Sequence, residues 1–252
     1  RGHKMATTLQ NIETPKKWRA LDTSGNNNHG KLYSGRALEF DGVSDTINTG
    51  YSAVGLAKTF TVAAWVKFNT NQTCRILEFH KNTGFGWGLS QASNSIQIID
   101  DTDSNDTAVY QTLVQMSTWY RVVVSVSNGA QVMYLNGYKK SGVNIEGTNG
   151  LNNDASAQLY IGSRGNSTTY LDGCISDVQV WDAAWSDDDA AFDYANPEQT
   201  VLNRGGTSLT ESNLKLWYPM NDGHRGQQSY VLDASNTGLG ENLLANSDME
   251  LD

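Results

Sequence analysis

The chain has 252 residues, 38% of them hydrophobic and 18% charged, and 18 Lys and Arg against 27 Asp and Glu give a formal net charge of -9. With no basic cluster beyond the pairs Lys16-Lys17 and Lys139-Lys140, that balance argues against a general binder of the phosphate backbone, and no nucleic acid is expected as a partner. Apolar runs such as VVVSV at 122–126 have strand length and fall far short of the roughly 20 residues of a membrane-spanning helix, so no membrane insertion is expected.

At the front, RGHK before Met5 lacks the apolar stretch and cleavage pattern of a signal peptide; residues 1–17 read as a cloning remnant and a lead-in. LDTSGNNNHG (21–30) supplies a carboxylate at Asp22, amide oxygens including that of Asn28, a hydroxyl and a loop glycine. Such hard oxygen donors suit calcium, and an Asx turn closed by Asp22 without any ion is the alternative. ALEF (37–40) is the first strand. TFTVAAWVKF (59–68) alternates with period two, which puts Phe60, Val62, Ala64, Val66 and Phe68 on one face. RILEFH (75–80), GWGLS (86–90), SIQII (95–99) and VYQTLV (109–114) follow as strands. Between the last two, DDTDSND (100–106) starts like an EF-hand loop, but Asp106 and Thr112 stand where glycine and glutamate belong, so it reads as a solvated loop.

YRVVVSV (120–126) again alternates, with Tyr120, Val122, Val124 and Val126 together, and QVMYLNG (131–137), QLYIGS (158–163) and CISDVQVW (174–181) continue the pattern. Turn residues in NTNQT, SNGA and LNGYKKSG separate the strands. Cys74 and Cys174 have no C-x-x-C spacing; they read as two semi-buried thiols or a single disulfide. In WSDDDAAFDYANPE (185–198) Ser186 is an N-cap, Asp189 completes a capping box and Pro197 ends the helical run, which predicts one short helix near 186–196. Its acidic triplet fits the positive end of a helix dipole better than a metal site. A polar stretch over 197–213 reads as a connector, and LKLWY (214–218) as a last strand. So many short strands with one helix predict an all-β protein of two packed antiparallel sheets.

LDGCISDVQVWDAAWSDDDAA, preceded by LYIGS and VMYLNGYKKSG, resembles the closing segment of laminin-G-like and pentraxin-like jelly rolls of the concanavalin A-like lectin/glucanase superfamily. TFTVAAWVKF, STWYRVVVSVSNG and LDTSGNNNHGKLYSGRALEFDGVSD extend the resemblance in family order over residues 18–196. It implies a two-sheet antiparallel jelly-roll sandwich. The family's retaining hydrolases place E-x-D-x-x-E along one strand, so that two carboxyl groups stand about 5–5.5 Å apart. Here EFDGVS offers Glu39 and Asp41 but Ser44 in the third place, with Gly42 ending the strand. No G-x-S-x-G or H-E-x-x-H is present, and His3, His29, His80 and His224 show no ligand spacing. No catalytic residues, and no enzyme, are therefore expected.

Related jelly rolls hold a structural calcium where the first and last strands meet, with an acid from each. Carried across, that implies Asp22 and Asp177, although Ser176 stands where relatives often have an acid. Trp65, Trp119 and Trp181 occupy strands where the family puts core tryptophans. Trp87 in GFGWGLS and Tyr110 in AVYQT lie near loops and glycines that would let a sugar approach, and are the ligand-binding candidates, with core packing as the alternative for each.

LKLWYPMNDG with the later LDASNTG resembles the leading edge of a module in this family. Residues 214–240 therefore either return terminal strands to the sandwich or open a neighbouring module. NLLANSDMELD resembles the first strand of another carbohydrate-binding sandwich, which reads 241–252 as the start of a following module and the chain as part of a longer one. YSGRALEFDGVSDTI with LKLWYPMNDG is similar to modules in structural proteins of marine cyanobacterial phages. The expectation is a non-catalytic recognition module on a virion (capsid or tail) or an extracellular cell surface. Its partners would be glycans or a host surface and neighbouring virion or surface-protein subunits. The alternatives are a structural decoration module in a virion and an accessory carbohydrate-binding domain of a secreted polysaccharide-processing enzyme.

Overall fold

Period-two alternation builds the sheets. The computed structural model describes residues 19–20, 30–31, 37–53, 56, 58–81, 84–100, 107–140, 156–165, 169–197 and 199–220. They fall in two units, Arg1–Arg36 and Ala37–Asp252. In the first, β1 (Arg19–Ala20) pairs antiparallel with β2 (Gly30–Lys31). Asp22 and Asn28 lie outside the described residues, as do the loop 101–106 and the tail 221–252 on which the expected neighbouring module rests.

The second unit is a sandwich of two antiparallel sheets. Its strands are β3 (Leu38–Asp41), β4 (Ile47–Ser52), β5 (Phe60–Phe68), β6 (Cys74–Lys81), β7 (Gly84–Ala92), β8 (Ser95–Asp100), β9 (Thr107–Leu113), β10 (Trp119–Ser127), β11 (Ala130–Leu135), β12 (Tyr138–Lys139), β13 (Gln158–Ile161), β14 (Asp172–Trp181) and β15 (Leu214–Tyr218). One sheet runs β12-β11-β10-β5-β14, and the free edge of β14 is taken by β3 and β15; the other runs β4-β13-β6-β7-β8-β9. The core lies between them. Phe60, Val62, Ala64, Val66 and Phe68 from β5, and Tyr120, Val122, Val124 and Val126 from β10, share one buried cluster with Leu77, Phe79, Leu89, Ile96 and Ile98 of the opposite sheet. Burying side chains of the Val, Leu, Ile and Phe kind contributes about 1.5–3 kcal/mol each. The thiols of Cys74 and Cys174 are not bonded to one another, and burial pushes the Cys74 thiol up to about 12.

The other face of the first sheet is not left to water. Ala63 of β5 and Val123 of β10 point away from the main core into a second cluster with Tyr134, Trp181, Trp185, Ala190, Val201 and Leu209. Helix α1 (Asp187–Ala195) lies here, started by the Ser186–Asp189 capping box. Residues 197–213, which read as a connector, are instead part of this layer. Val201 and Leu209 are buried, and Arg204 Nε donates to Asp189 Oδ1 at 2.6 Å. β15 then pairs antiparallel with Val178–Trp181 of β14, so 214–218 belongs to this sandwich.

Arg121 is buried on the same face. Its Nε and Nη2 donate to the two carboxylate oxygens of Asp193 in α1 at 2.6 and 2.9 Å, and Nη1 donates to the Asp177 carbonyl at 2.8 Å. Burial alone would lower the guanidinium pKa, but the charges of Asp193 and then Asp177 carry it above its ordinary value. This one side chain ties β10, β14 and α1 together.

Candidate functional site

Trp87 does not lie in a groove. Along β7 the glycines 86 and 88 face outward, and period two turns Trp87 inward, where it is 0% exposed. Its indole N–H donates to Gln131 Oε1 at 3.0 Å, and its ring meets Phe60 edge-on at 5.1 Å. It is a core residue, and a ligand cannot stack on it. Tyr110 is described through its backbone alone, which pairs with Gln97.

Asp177 is also committed elsewhere. The register of β14 shifts between Ser176 and Gln179, and Asp177 takes the left-handed backbone conformation, φ 49°. Its Oδ1 accepts the Trp217 indole N–H at 2.6 Å; its Oδ2 accepts Gln179 Nε2 at 2.9 Å and stands 3.0 Å from Arg121 Nη2. A calcium ion there would have to displace the guanidinium. The resemblance-derived site therefore does not fit Asp177. Among the described residues no group of three or more His, Cys, Asp or Glu is placed to hold a metal.

The Glu39, Asp41, Ser44 series is a turn. Asp41 Oδ1 accepts the backbone N–H groups of Val43, Ser44 and Asp45 at 2.8, 2.9 and 3.1 Å, and Asp45 Oδ2 accepts the Asp41 N–H in return at 3.0 Å. These donors, led by Ser44 and Val43, lower the Asp41 pKa from its ordinary 3.8 to about 2. A depressed folded-state value means that the stabilisation is present above pH 3.8 and fades as pH falls through about 2. Asp41→Asn is expected to lower the melting temperature at neutral pH, with a gap to wild type that closes over that acid window. A gap independent of pH would show that the ionised carboxylate does not hold the turn.

The outer face of the six-stranded sheet carries a different constellation. Its centre is β6, where the pairing with β7 shifts between Arg75 and Leu77. The extra residue brings Arg75 to the same side as Glu78 and His80. Glu78 is 2% exposed; its Oε2 accepts Arg75 Nε at 2.6 Å and its Oε1 lies 3.0 Å from His80 Nδ1. The terminal nitrogens of Arg75 take no partner among the described residues.

Cross-strand register sets two rungs on this face. One runs Asn48, Tyr160, Glu78, Gly88, and the other Arg75, Ser90, Gln97, with the backbone of Tyr110 next in line. Tyr160 packs edge-on against His80 at 6.1 Å, and its hydroxyl accepts Asn48 Nδ2 at 3.2 Å. Between these larger side chains β7 is closely packed, with Gly86 and Gly88 both buried. A Cβ on Gly86 would sit 1.7 Å from the Phe79 carbonyl oxygen, and one on Gly88 2.9 Å from that of Leu77. Glycine is required at both positions by the closeness of β6. Ser90, 1% exposed, has a hydroxyl with no hydrogen-bond partner among the described residues.

The family model of the concanavalin A-like lectin/glucanases superfamily named Laminin_G_3 matches residues 41–191. The chain belongs to this superfamily. None of the curated proteins matches it. Among solved structures, this concanavalin A-like chain is similar to a Bacteroides ovatus protein described as a candidate carbohydrate binding protein. The identity is 16% and the TM-score 0.55, over 85% of this chain and 61% of that one. A Trypanosoma rangeli sialidase in complex with sialic acid matches at 15% identity and TM-score 0.51, over 65% of this chain and 28% of its own. A native heptameric SAP-like pentraxin of Limulus polyphemus matches at 18% identity and TM-score 0.49, over 62% and 80%. The chain thus spans under two thirds of the sialidase and of the Bacteroides protein. At these identities the likeness is one of fold, and the fold is lectin-like, of the kind used by carbohydrate-binding modules.

Proposed function

We propose that this chain is a non-catalytic glycan-recognition module of a larger virion or cell-surface protein, and that the glycan lies across the outer face of the six-stranded sheet. The observation that carries the proposal is the Tyr160, His80 and Asn48 group, which is not buried, on strands β13, β6 and β4 of that face. Tyr160 and His80 stand partly exposed there, edge-on at 6.1 Å, and the exposed Asn48 amide donates to the Tyr160 hydroxyl. Lectin-like sites combine a small number of placed polar groups with an apolar surface in this way, and Tyr160 supplies the ring. The commitment of Asp41 to its turn, with Ser44 in the third place of the only partial hydrolase motif, supports recognition without hydrolysis. The name of the Bacteroides ovatus protein points the same way.

The test is a glycan array probed with the full chain, in calcium and in EDTA. Binding that is equal in both media, and lost in Tyr160→Ala, is the expected result. No signal on any glycan would overturn the proposal, and a signal that disappears in EDTA would move the site towards the loop 21–30.

A further inference from the structure

We infer that His80 accepts a glycan hydroxyl at Nε2, and that Glu78 is the positioning residue that leaves this nitrogen bare. The inference rests on the recognition reading above and assigns roles within the same site. In its ion pair with Arg75, Nε to Oε2 at 2.6 Å, the Glu78 side chain is a carboxylate and can only accept. Its other oxygen lies 3.0 Å from His80 Nδ1, so Nδ1 carries the hydrogen of that bond. In a neutral imidazole the second nitrogen is then an acceptor, and the tautomer is set by the partner of the first. Glu78 is 2% exposed and does not touch the ligand itself.

Nε2 is within a ligand's reach. Among the described residues it has no hydrogen-bond partner, and the buried polar side-chain atoms that lack one are Ser90 Oγ and Trp185 Nε1. Nε2 therefore meets solvent, in keeping with a side chain that is 26% exposed. The ring is held in place on its other sides. Tyr160 packs edge-on against it at 6.1 Å, and the Gly165 backbone comes so close that a Cβ there would lie 2.8 Å from Cδ2 and 3.0 Å from Nε2. The Tyr160 hydroxyl, whose oxygen accepts Asn48 Nδ2, keeps its own hydrogen to donate. An acceptor on one ring and a donor on its neighbour match sugar hydroxyls, which donate and accept at once.

Two measurements on the full chain test this. Nitrogen NMR of the isotopically labelled protein, with His80 assigned by the loss of its signals in His80→Gln, should show Nδ1 protonated and Nε2 bare in mildly alkaline buffer, which keeps imidazole neutral. Affinity electrophoresis in gels carrying laminarin, galactomannan or alginate should show retardation by at least one polymer. His80→Ala and His80→Asn should weaken it by roughly tenfold, the loss of about one hydrogen bond. His80→Gln should retain most of it, because the glutamine amide oxygen reaches the place of Nε2 whereas that of asparagine stops near Nδ1. In Glu78→Gln the amide can pair with either tautomer, so the His80 signals should report a mixture and the retardation should weaken as the fraction with bare Nε2 falls. Should that variant fail to fold, the wild-type spectrum and the His80 series carry the test. A protonated Nε2 in the wild type would overturn the inference, and so would retardation that Tyr160→Ala abolishes and all three His80 variants leave unchanged; glycan recognition would stand in both cases. Retardation by none of the polymers would remove the recognition reading and this inference together.

Discussion

Arg121→Met is expected to destabilise the protein by about 3–5 kcal/mol in urea unfolding, the range for removing one partner of a buried ion pair. The substitution keeps most of the side chain's volume. What it removes is the counter-charge of Asp193, which is 2% exposed, and the donors that hold Asp177 in its left-handed conformation. The comparison that isolates the effect is Lys139→Ala. Its partner Asp187 is 3.7 Å away and both side chains are more than half exposed, so that loss should stay within about 1 kcal/mol. The double variant Arg121→Met with Asp193→Leu should recover much of the loss, because the buried carboxylate goes with its partner. A loss below about 1 kcal/mol in Arg121→Met would show that solvent reaches Asp193 and that the network holds nothing together.

Truncation after Pro197 is expected to give an insoluble or unfolded product. It removes Val201, Leu209, Leu216, Tyr218 and Met220, all buried, and at about 1.5–3 kcal/mol for a buried Val or Leu the sum rivals the roughly 5–15 kcal/mol by which whole domains are stable. It also strips β15 from β14 and uncovers Trp181 and Trp185. Leu216→Ala gives a graded version, with an expected loss of about 2–5 kcal/mol. A soluble 1–197 fragment whose melting temperature equals that of the whole chain would contradict the packing described here.

The strand centres were legible because alternation in β5 and β10 is unbroken: YRVVVSV and TFTVAAWVKF each place one apolar face, and the main core is made of those faces. β4 was not foreseen, since INTGYS is half composed of turn residues and only its pairing with β13 makes it a strand. The helix start was readable from Ser186 and Asp189 because a capping box is a local device. The second layer was harder. Val123 and Ala63 were the available signal, apolar residues on a face that a solvated sheet would leave polar. The outer-face constellation escaped for a definite reason. Strict period two groups Arg75 with Leu77 and Phe79, and only the register shift inside β6 carries it over to Glu78. For Trp87 the rule itself sufficed: the flanking glycines lie on the opposite face from the one the indole occupies. Spacing could not have shown that Asp177 is turned towards Arg121, because that orientation follows from the backbone at the β14 irregularity.

β14 has one edge shared end to end by two strands, β3 on Asp172–Ile175 and β15 on Val178–Trp181. The two come from opposite ends of the sandwich sequence, so closing this edge is a non-local event of the kind that slows folding. During synthesis β14 can dock on β5 and β3 as soon as it emerges, while half of its remaining edge waits for Leu214–Tyr218. The nascent chain thus carries an open backbone ladder beside a finished core. How long that ladder is free to pair with a neighbouring chain is set by the rate of elongation rather than by the stability of the finished fold.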